Sequence, residues 1–133
     1  MAFDLHPRLD ADTHLIRDWS LSRVLLMDDK RFPWVILVPR REDIREWHDL
    51  DQKDQQQLLT EMNRIAAAMQ REFKAEKMNI GALGNIVPQL HIHVIARHGG
   101  DDAWPGPVWG QGERVPYEDE AEEMLTRLRN QLG

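Results

Sequence analysis

The sequence predicts an α+β domain: an antiparallel sheet of about five strands, one long helix and a C-terminal helix, with the helices packed on one face of the sheet. Three observations predict it. Short apolar, partly β-branched runs stand at Ser22–Asp28 and Trp34–Pro39, separated by Asp29-Lys-Arg-Phe-Pro33. An apolar stripe at helical spacing extends from Leu58 to Phe73, behind a capping Asp51. The stretch from Gln89 to Arg97 alternates with period two, as a strand does.

The first two runs have strand length, and their flanks favour an antiparallel pair joined by a short turn and closed by Pro39. Arg40 and Arg41 open the next loop as solvated side chains, and a short helical turn is expected around Ile44 to His48. Beyond Asp51, the residues Leu58, Leu59, Met62, Ile65, Ala66, Met69 and Phe73 share one side of the longest helix and face the core. Lys53, Gln55, Gln56, Glu61 and Arg64 point elsewhere. Met78 to Leu83 reads as a further strand, Gly84-Asn85 as part of a hairpin connection, and the segment around His91 as the strand that returns. From His98 to Gly112 the chain is rich in glycine, proline and tryptophan and has no period; it is an ordered loop, because Trp104 and Trp109 are costly to leave in water. The final helix spans Tyr117 to Leu132. Glu118, Asp119 and Glu120 open it where the dipole favours acids, and Ala121, Met124, Leu125, Leu128 and Leu132 form its apolar stripe.

At 133 residues, the chain has the length of one domain, 1–133. A net charge of −6 with no basic run disfavours nucleic acid or an anionic membrane as a bulk electrostatic partner, while a local cluster of donors can still bind a small phosphorylated ligand. With no cysteine there is no disulfide and no thiolate metal site. The first residues lack the apolar core of a secretory signal, and no segment approaches the roughly 20 apolar residues that span a bilayer. The expected setting is the cytoplasm.

The chemistry concentrates in Pro88-Gln-Leu-His-Ile-His-Val-Ile-Ala-Arg97. Leu90, Ile92, Val94 and Ala96 share one face of that strand, while Gln89, His91, His93, Ile95 and Arg97 share the other. Two imidazoles that titrate near neutrality, flanked by groups able to hold anions, suit phosphate chemistry. Glycines and a proline precede the strand and Trp-Pro-Gly-Pro follows it, which argues against incidental histidines on a wet face.

The stretch Gly84-Asn-Ile-Val-Pro-Gln-Leu-His-Ile-His-Val-Ile-Ala-Arg97 resembles the signature of the histidine triad (HIT) superfamily: His-φ-His-φ-His-φ-φ with φ apolar, after a Gly-Gln or Gly-Asn pair and often followed by Pro-Arg, of which the arginine is present here. The resemblance covers residues 20 to 98, with a C-terminal loop and helix, 98–133, specific to a subgroup. It implies a nucleotide hydrolase or nucleotidyl transferase acting at the α-phosphorus of a nucleoside phosphate conjugate such as a dinucleoside polyphosphate. The middle histidine, His91, would be the nucleophile and form a covalent nucleotidyl-histidine. His93, the third, would lie hydrogen-bonded near the phosphate. Gln89 stands where the first histidine belongs and donates hydrogen bonds but cannot titrate. Trp34 takes the strand position that often carries a fourth histidine. Backbone N–H groups near Ile86 and Val87, with Asn85, Gln89 and His93, would bind phosphate oxygens as charge develops. Gly81 and Gly84 would let the hairpin approach the ligand. Asn79 resembles a residue that contacts ribose or phosphate, a turn asparagine being the alternative. Arg97 is a candidate for a distal phosphate, with a salt bridge as its alternative. His98 is a candidate for the leaving-group side; His6 and His48 read as surface residues, and His14 as surface or rim.

The resemblance further implies a homodimer with the long helices meeting, a nucleotide substrate, and no cofactor or metal. Three other readings stand beside it: a nucleoside phosphoramidate hydrolase, a metal-binding protein using His91, His93 and His98, and a nucleotide sensor without turnover.

Overall fold

A computed structural model describes residues 3–132. Five strands form one antiparallel sheet: β1 Thr13–Asp18, β2 Ser22–Met27, β3 Trp34–Pro39, β4 Lys77–Gly81 and β5 Ile92–Arg97, in the spatial order β1-β2-β3-β5-β4. The helices are α1 Pro7–Ala11, α2 Gln52–Phe73 and α3 Ala121–Gln131, with a 3-10 turn at Trp47–Asp49. The chain leaves β3, crosses one face of the sheet as α2, enters the far edge as β4 and turns back as β5 into the middle. That return makes β5 a central strand buried along its length, with β3 on one side and β4 on the other.

The long helix forms as its stripe requires. The Asp51 carboxylate accepts the Asp54 N–H at 2.8 Å, satisfying one of the free donors of the first turn. Leu58, Ile65 and Met69 pack with Leu90, Ile92, Val94 and Ala96 of the sheet and with Leu125 and Leu128 of α3. Two members of the expected pattern are corrected. Leu59 is 49% exposed, at the edge of the stripe. Glu61 is buried and turned to the sheet, where its carboxylate accepts the backbone N–H groups of Leu21 and Ser22, both at 3.0 Å. A charge in that position is tolerated because the β1–β2 turn presents two unpaired donors to it.

The opposite face of the sheet is also covered, by loops and α1 rather than by long helices. Phe32, Leu25, Trp34, Ile36, Val38 and Ile95 form a second core there with Leu9, Val87, Ala103 and Val108. The run after His98 is thus a lid on this face, as expected of an ordered loop.

The remaining differences are of boundary and omission. Neither β1 nor α1 was predicted by period. Thr13–Asp18 is an edge strand whose register shifts between Leu15 and Arg17, so its alternation breaks. α1 has five residues, started by Pro7 behind His6, whose Nδ1 accepts the Arg8 N–H at 3.1 Å. The motif strand begins at Ile92 rather than Gln89, the short turn lies at Trp47–Asp49, and α3 begins at Ala121 rather than Tyr117.

Candidate active site

A cavity of about 390 Å³ opens on the second face of the sheet. His91 and His93 form its floor with Trp34 and Ile36, the Gly84–Val87 turn closes one side, α1 supplies Arg8 and Leu9, Asp12 follows at its C-terminal cap, and Trp109 comes from the long loop. Gly84 has φ +67°, the left-handed backbone that favours glycine, and a side chain there would press on the Val87 carbonyl at 3.3 Å. The turn therefore needs glycine to bring Asn85, Ile86 and Val87 to the rim.

Hydrogen bonds set the two imidazoles in different tautomers. The Gln89 carbonyl lies 2.7 Å from His91 Nδ1. A carbonyl only accepts, so Nδ1 carries the proton and Nε2 keeps a free lone pair. At His93 the order is reversed: the Trp34 indole N–H donates to His93 Nδ1 at 3.1 Å. An indole only donates, so Nδ1 is the acceptor and the proton sits on Nε2. Trp34 reaches this atom because it pairs with Ile95, which makes His93 its diagonal neighbour across the strands. The rings of His91 and His93 meet edge to face at 4.9 Å, and Trp109 stands over His93 at 5.5 Å.

Burial biases both imidazoles toward the neutral form. Burial pushes His93 down to about 3, with the adjacent His91 adding to the effect. Burial also pushes His91 below the usual histidine range, partly opposed by the Gln89 carbonyl, with His6 lowering it further. The site thus presents one bare imidazole nitrogen and one imidazole N–H in an open, partly apolar cavity, which suits nucleophilic attack on an electrophile with an anion held alongside.

Of the expected site residues, His91, His93, Asn85, Ile86 and Val87 are brought together around this cavity. Gln89, Asn79, Arg97 and His98 are not. Gln89 precedes the strand, so period two does not carry to it; its Nε2 donates to the Asp4 carbonyl at 2.9 Å and its Oε1 accepts the His6 N–H at 2.8 Å. Arg97 is 1% exposed and forms a two-pronged ion pair with Asp101, and its Nη1 donates to Asn79 Oδ1 at 2.8 Å. Asn79 and Arg97 therefore hold each other beneath the loop instead of facing a ligand. His98 Nε2 bonds the Phe73 carbonyl at 2.8 Å, at the end of α2. A three-histidine metal site on His91, His93 and His98 is accordingly not assembled, and among the described residues no group of three His, Asp or Glu side chains is placed to hold a metal. Gly81 serves packing rather than ligand approach: a side chain there would meet the Trp109 ring at 3.2 Å. Arg8, Leu9 and Asp12 were missed as site residues, and Pro7 at the first turn of α1 was the one local signal for them.

A family model described as "HIT domain" matches residues 8–100. Three solved structures are similar over nearly their whole length. A histidine triad protein from Bradyrhizobium japonicum is 46% identical, with 100% of each chain covered and a TM-score of 0.97. One from Marinobacter aquaeolei VT8 is 49% identical, covering 99% of this chain and 97% of that one, with a TM-score of 0.96. One from Sinorhizobium meliloti 1021 is 48% identical, covering 98% and 97%, with a TM-score of 0.95. No curated protein matches the chain.

Proposed function

This chain belongs to the HIT domain family, and on that premise we propose that it is a nucleotide hydrolase or nucleotidyl transferase acting at the α-phosphorus of a nucleoside phosphate conjugate, a dinucleoside polyphosphate being the example. The observation that carries the proposal is the 2.7 Å bond from His91 Nδ1 to the Gln89 carbonyl, which leaves Nε2 bare inside the cavity. In the first step Nε2 attacks the phosphorus, a P–N bond forms as the P–O bond to the leaving group breaks, and the leaving oxygen keeps the electron pair. Water then cleaves the nucleotidyl-histidine. His93 Nε2–H and the N–H groups of the Gly84–Val87 turn are the donors available to the phosphate oxygens. The apolar wall of Leu9, Met27 and Ile36 offers a surface for the base.

A polyphosphate leaving group departs as an anion and needs no strong acid. That suits a site in which His93 is held neutral and the amide of Gln89 is directed elsewhere, and it favours polyphosphates over phosphoramidates, whose amine must be protonated to leave. A homodimer and a cytoplasmic setting belong to the same proposal. Ile80 on edge strand β4 and Leu59 on α2 are exposed apolar side chains available to a second copy, and no helix among the described residues is long and apolar enough to cross a membrane.

Mixing the protein with a dinucleoside polyphosphate, quenching in denaturant and mapping peptides by mass is expected to show one nucleotide monophosphate added at His91. Turnover with no such adduct at any quench time, including in single-turnover reactions, would overturn the covalent route.

The pH profile gives a second test. The reacting imidazole is neutral, so activity falls as pH drops through the pKa of His91. Burial lowers that pKa, hence the neutral form persists further into acid. The acid limb of kcat/KM, which reports the free enzyme, is expected below the ordinary histidine value of about 6.5. A midpoint above about 7 would contradict a buried, neutral His91.

A further inference from the structure

Arg8 lines the same cavity as His91 and His93, and among the described residues it forms no ion pair and no side-chain hydrogen bond. The carboxylate beside it on the cavity wall, Asp12, is engaged: Arg114 lies 3.6 Å away. Arg8 is therefore an exposed cation without a partner at the cavity rim, where the other charged lining side chain, Asp12, is already paired with Arg114. It sits on a five-residue helix that Leu9 packs into the second core, and Gln89 ties down the segment that enters that helix. The Gln89 amide donates to the Asp4 carbonyl at 2.9 Å and accepts the His6 N–H at 2.8 Å. These are groups two residues apart on one extended segment, paired as a neighbouring strand would pair them. An amide carries its donor and acceptor side by side, whereas the two nitrogens of an imidazole point apart, so histidine cannot make both bonds.

From this juxtaposition we infer that Arg8 binds the phosphates of the substrate and that Gln89, in place of the first triad histidine, is a positioning residue that holds the Arg8 segment over the cavity. The inference rests on the proposed nucleotide chemistry and adds to it the cation that recognises the phosphates. It also explains the departure from the motif: the amide at position 89 fastens the N-terminal segment. The carbonyl of the same residue orients His91, so one residue couples the nucleophile to the phosphate-binding arm.

The test is calorimetric titration of the full chain with adenosine, AMP and ADP, comparing wild type, Arg8→Ala, Gln89→Ala, Gln89→His and the Arg8→Ala/Gln89→Ala double variant. Arg8→Ala is expected to weaken ADP by about ten- to a hundredfold, the loss of a charge-assisted contact, while adenosine binding is unchanged. Gln89→Ala and Gln89→His should give a similar loss on ADP. The double variant should be no worse than the poorer single one, since Gln89 acts through Arg8. An Arg8→Ala protein that binds ADP as tightly as wild type overturns the inference. So does a double variant whose loss is the product of the two single losses. A Gln89→Ala protein weakened equally for adenosine and ADP would show a general structural role and overturn the positioning role. Wild type that binds neither AMP nor ADP, at concentrations where its fold is intact, overturns the nucleotide proposal itself, a result distinct from failure of Arg8 alone.

Discussion

His91→Asn is expected to lower turnover by ~10³-fold or more, because the variant keeps the cavity but has no nucleophile. Asparagine is the informative replacement. Its amide nitrogen occupies roughly the place of Nδ1, so the bond to the Gln89 carbonyl can persist and the turn before β5 stays ordered. What disappears is Nε2, the atom that faces the cavity. Melting temperature and ADP binding should therefore change little while the covalent adduct vanishes. The split matters, since a mutation that unfolds the site also kills activity but moves all three readouts together. A His91→Asn protein retaining about a tenth of wild-type turnover would remove His91 from the mechanism, whatever the cause of the remaining rate. The bond that makes His91 reactive is local in sequence, two residues apart. The bond that fixes His93 is not: it comes from Trp34, 59 residues away. The two histidines look alike in the strand and differ only in the partner each finds.

That difference marks how far the sequence could be read. Alternation put His93, Ile95 and Arg97 on one face of β5, and they are there; His91, just before the strand, lines the same cavity as His93. The stripe from Leu58 to Met69, with Asp51 before it, placed α2 because helix period and cap are both local signals. Alternation says which residues share a face, however, and not what covers it. The covering came from α1 and from the aperiodic run after His98, neither of which carries a period to detect. So Arg97, a candidate by face and residue type, and Asn79, a candidate by resemblance, hold each other under the loop, and Arg8 is in the cavity with no motif to announce it. Gln89 is misread for another reason. It was counted as part of the strand, yet the strand starts three residues later and the side chain turns toward the N-terminal segment. Glu61 shows the same limit in a helix: its position beside the stripe suggested solvent, and two free N–H groups on the β1–β2 turn drew it inward.

Arg97→Met is expected to destabilise the fold by about 3–5 kcal/mol at neutral pH, the usual result of removing one partner from a buried ion pair. The Arg97 guanidinium donates from Nε and Nη2 to the two oxygens of Asp101 at 2.8 and 2.9 Å, from Nη1 to Asn79, and from Nη2 to the Gly106 carbonyl at 2.8 Å. Phe32 and Trp104 sandwich it at 5.6 and 5.7 Å from their ring centres. Methionine fills much of the space but leaves the Asp101 carboxylate without its cation, and the Asn79 and Gly106 oxygens without donors. Arg97→Lys keeps the charge and loses the planar fork, so it should fall between the two. The ion pair also sets a pH dependence. Arg97 holds the Asp101 carboxyl down at about 2, below its value in the unfolded chain, so the unfolded state takes up the proton first as pH falls. The stabilisation is therefore complete above about pH 4 and is lost as pH drops through 2. In Arg97→Met the folded-state carboxyl rises, so this pH-dependent loss shrinks and the gap between variant and wild type narrows as pH falls. Urea denaturation of wild type and Arg97→Met at several pH values from about 2 to 7 measures both effects. Because the loop tied down by Arg97 and Asp101 also carries Trp109 to the cavity, the surviving folded fraction should show a raised KM more than a lowered kcat. An Arg97→Met protein as stable as wild type, with substrate affinity alone reduced, would return Arg97 to the ligand and remove it from the framework.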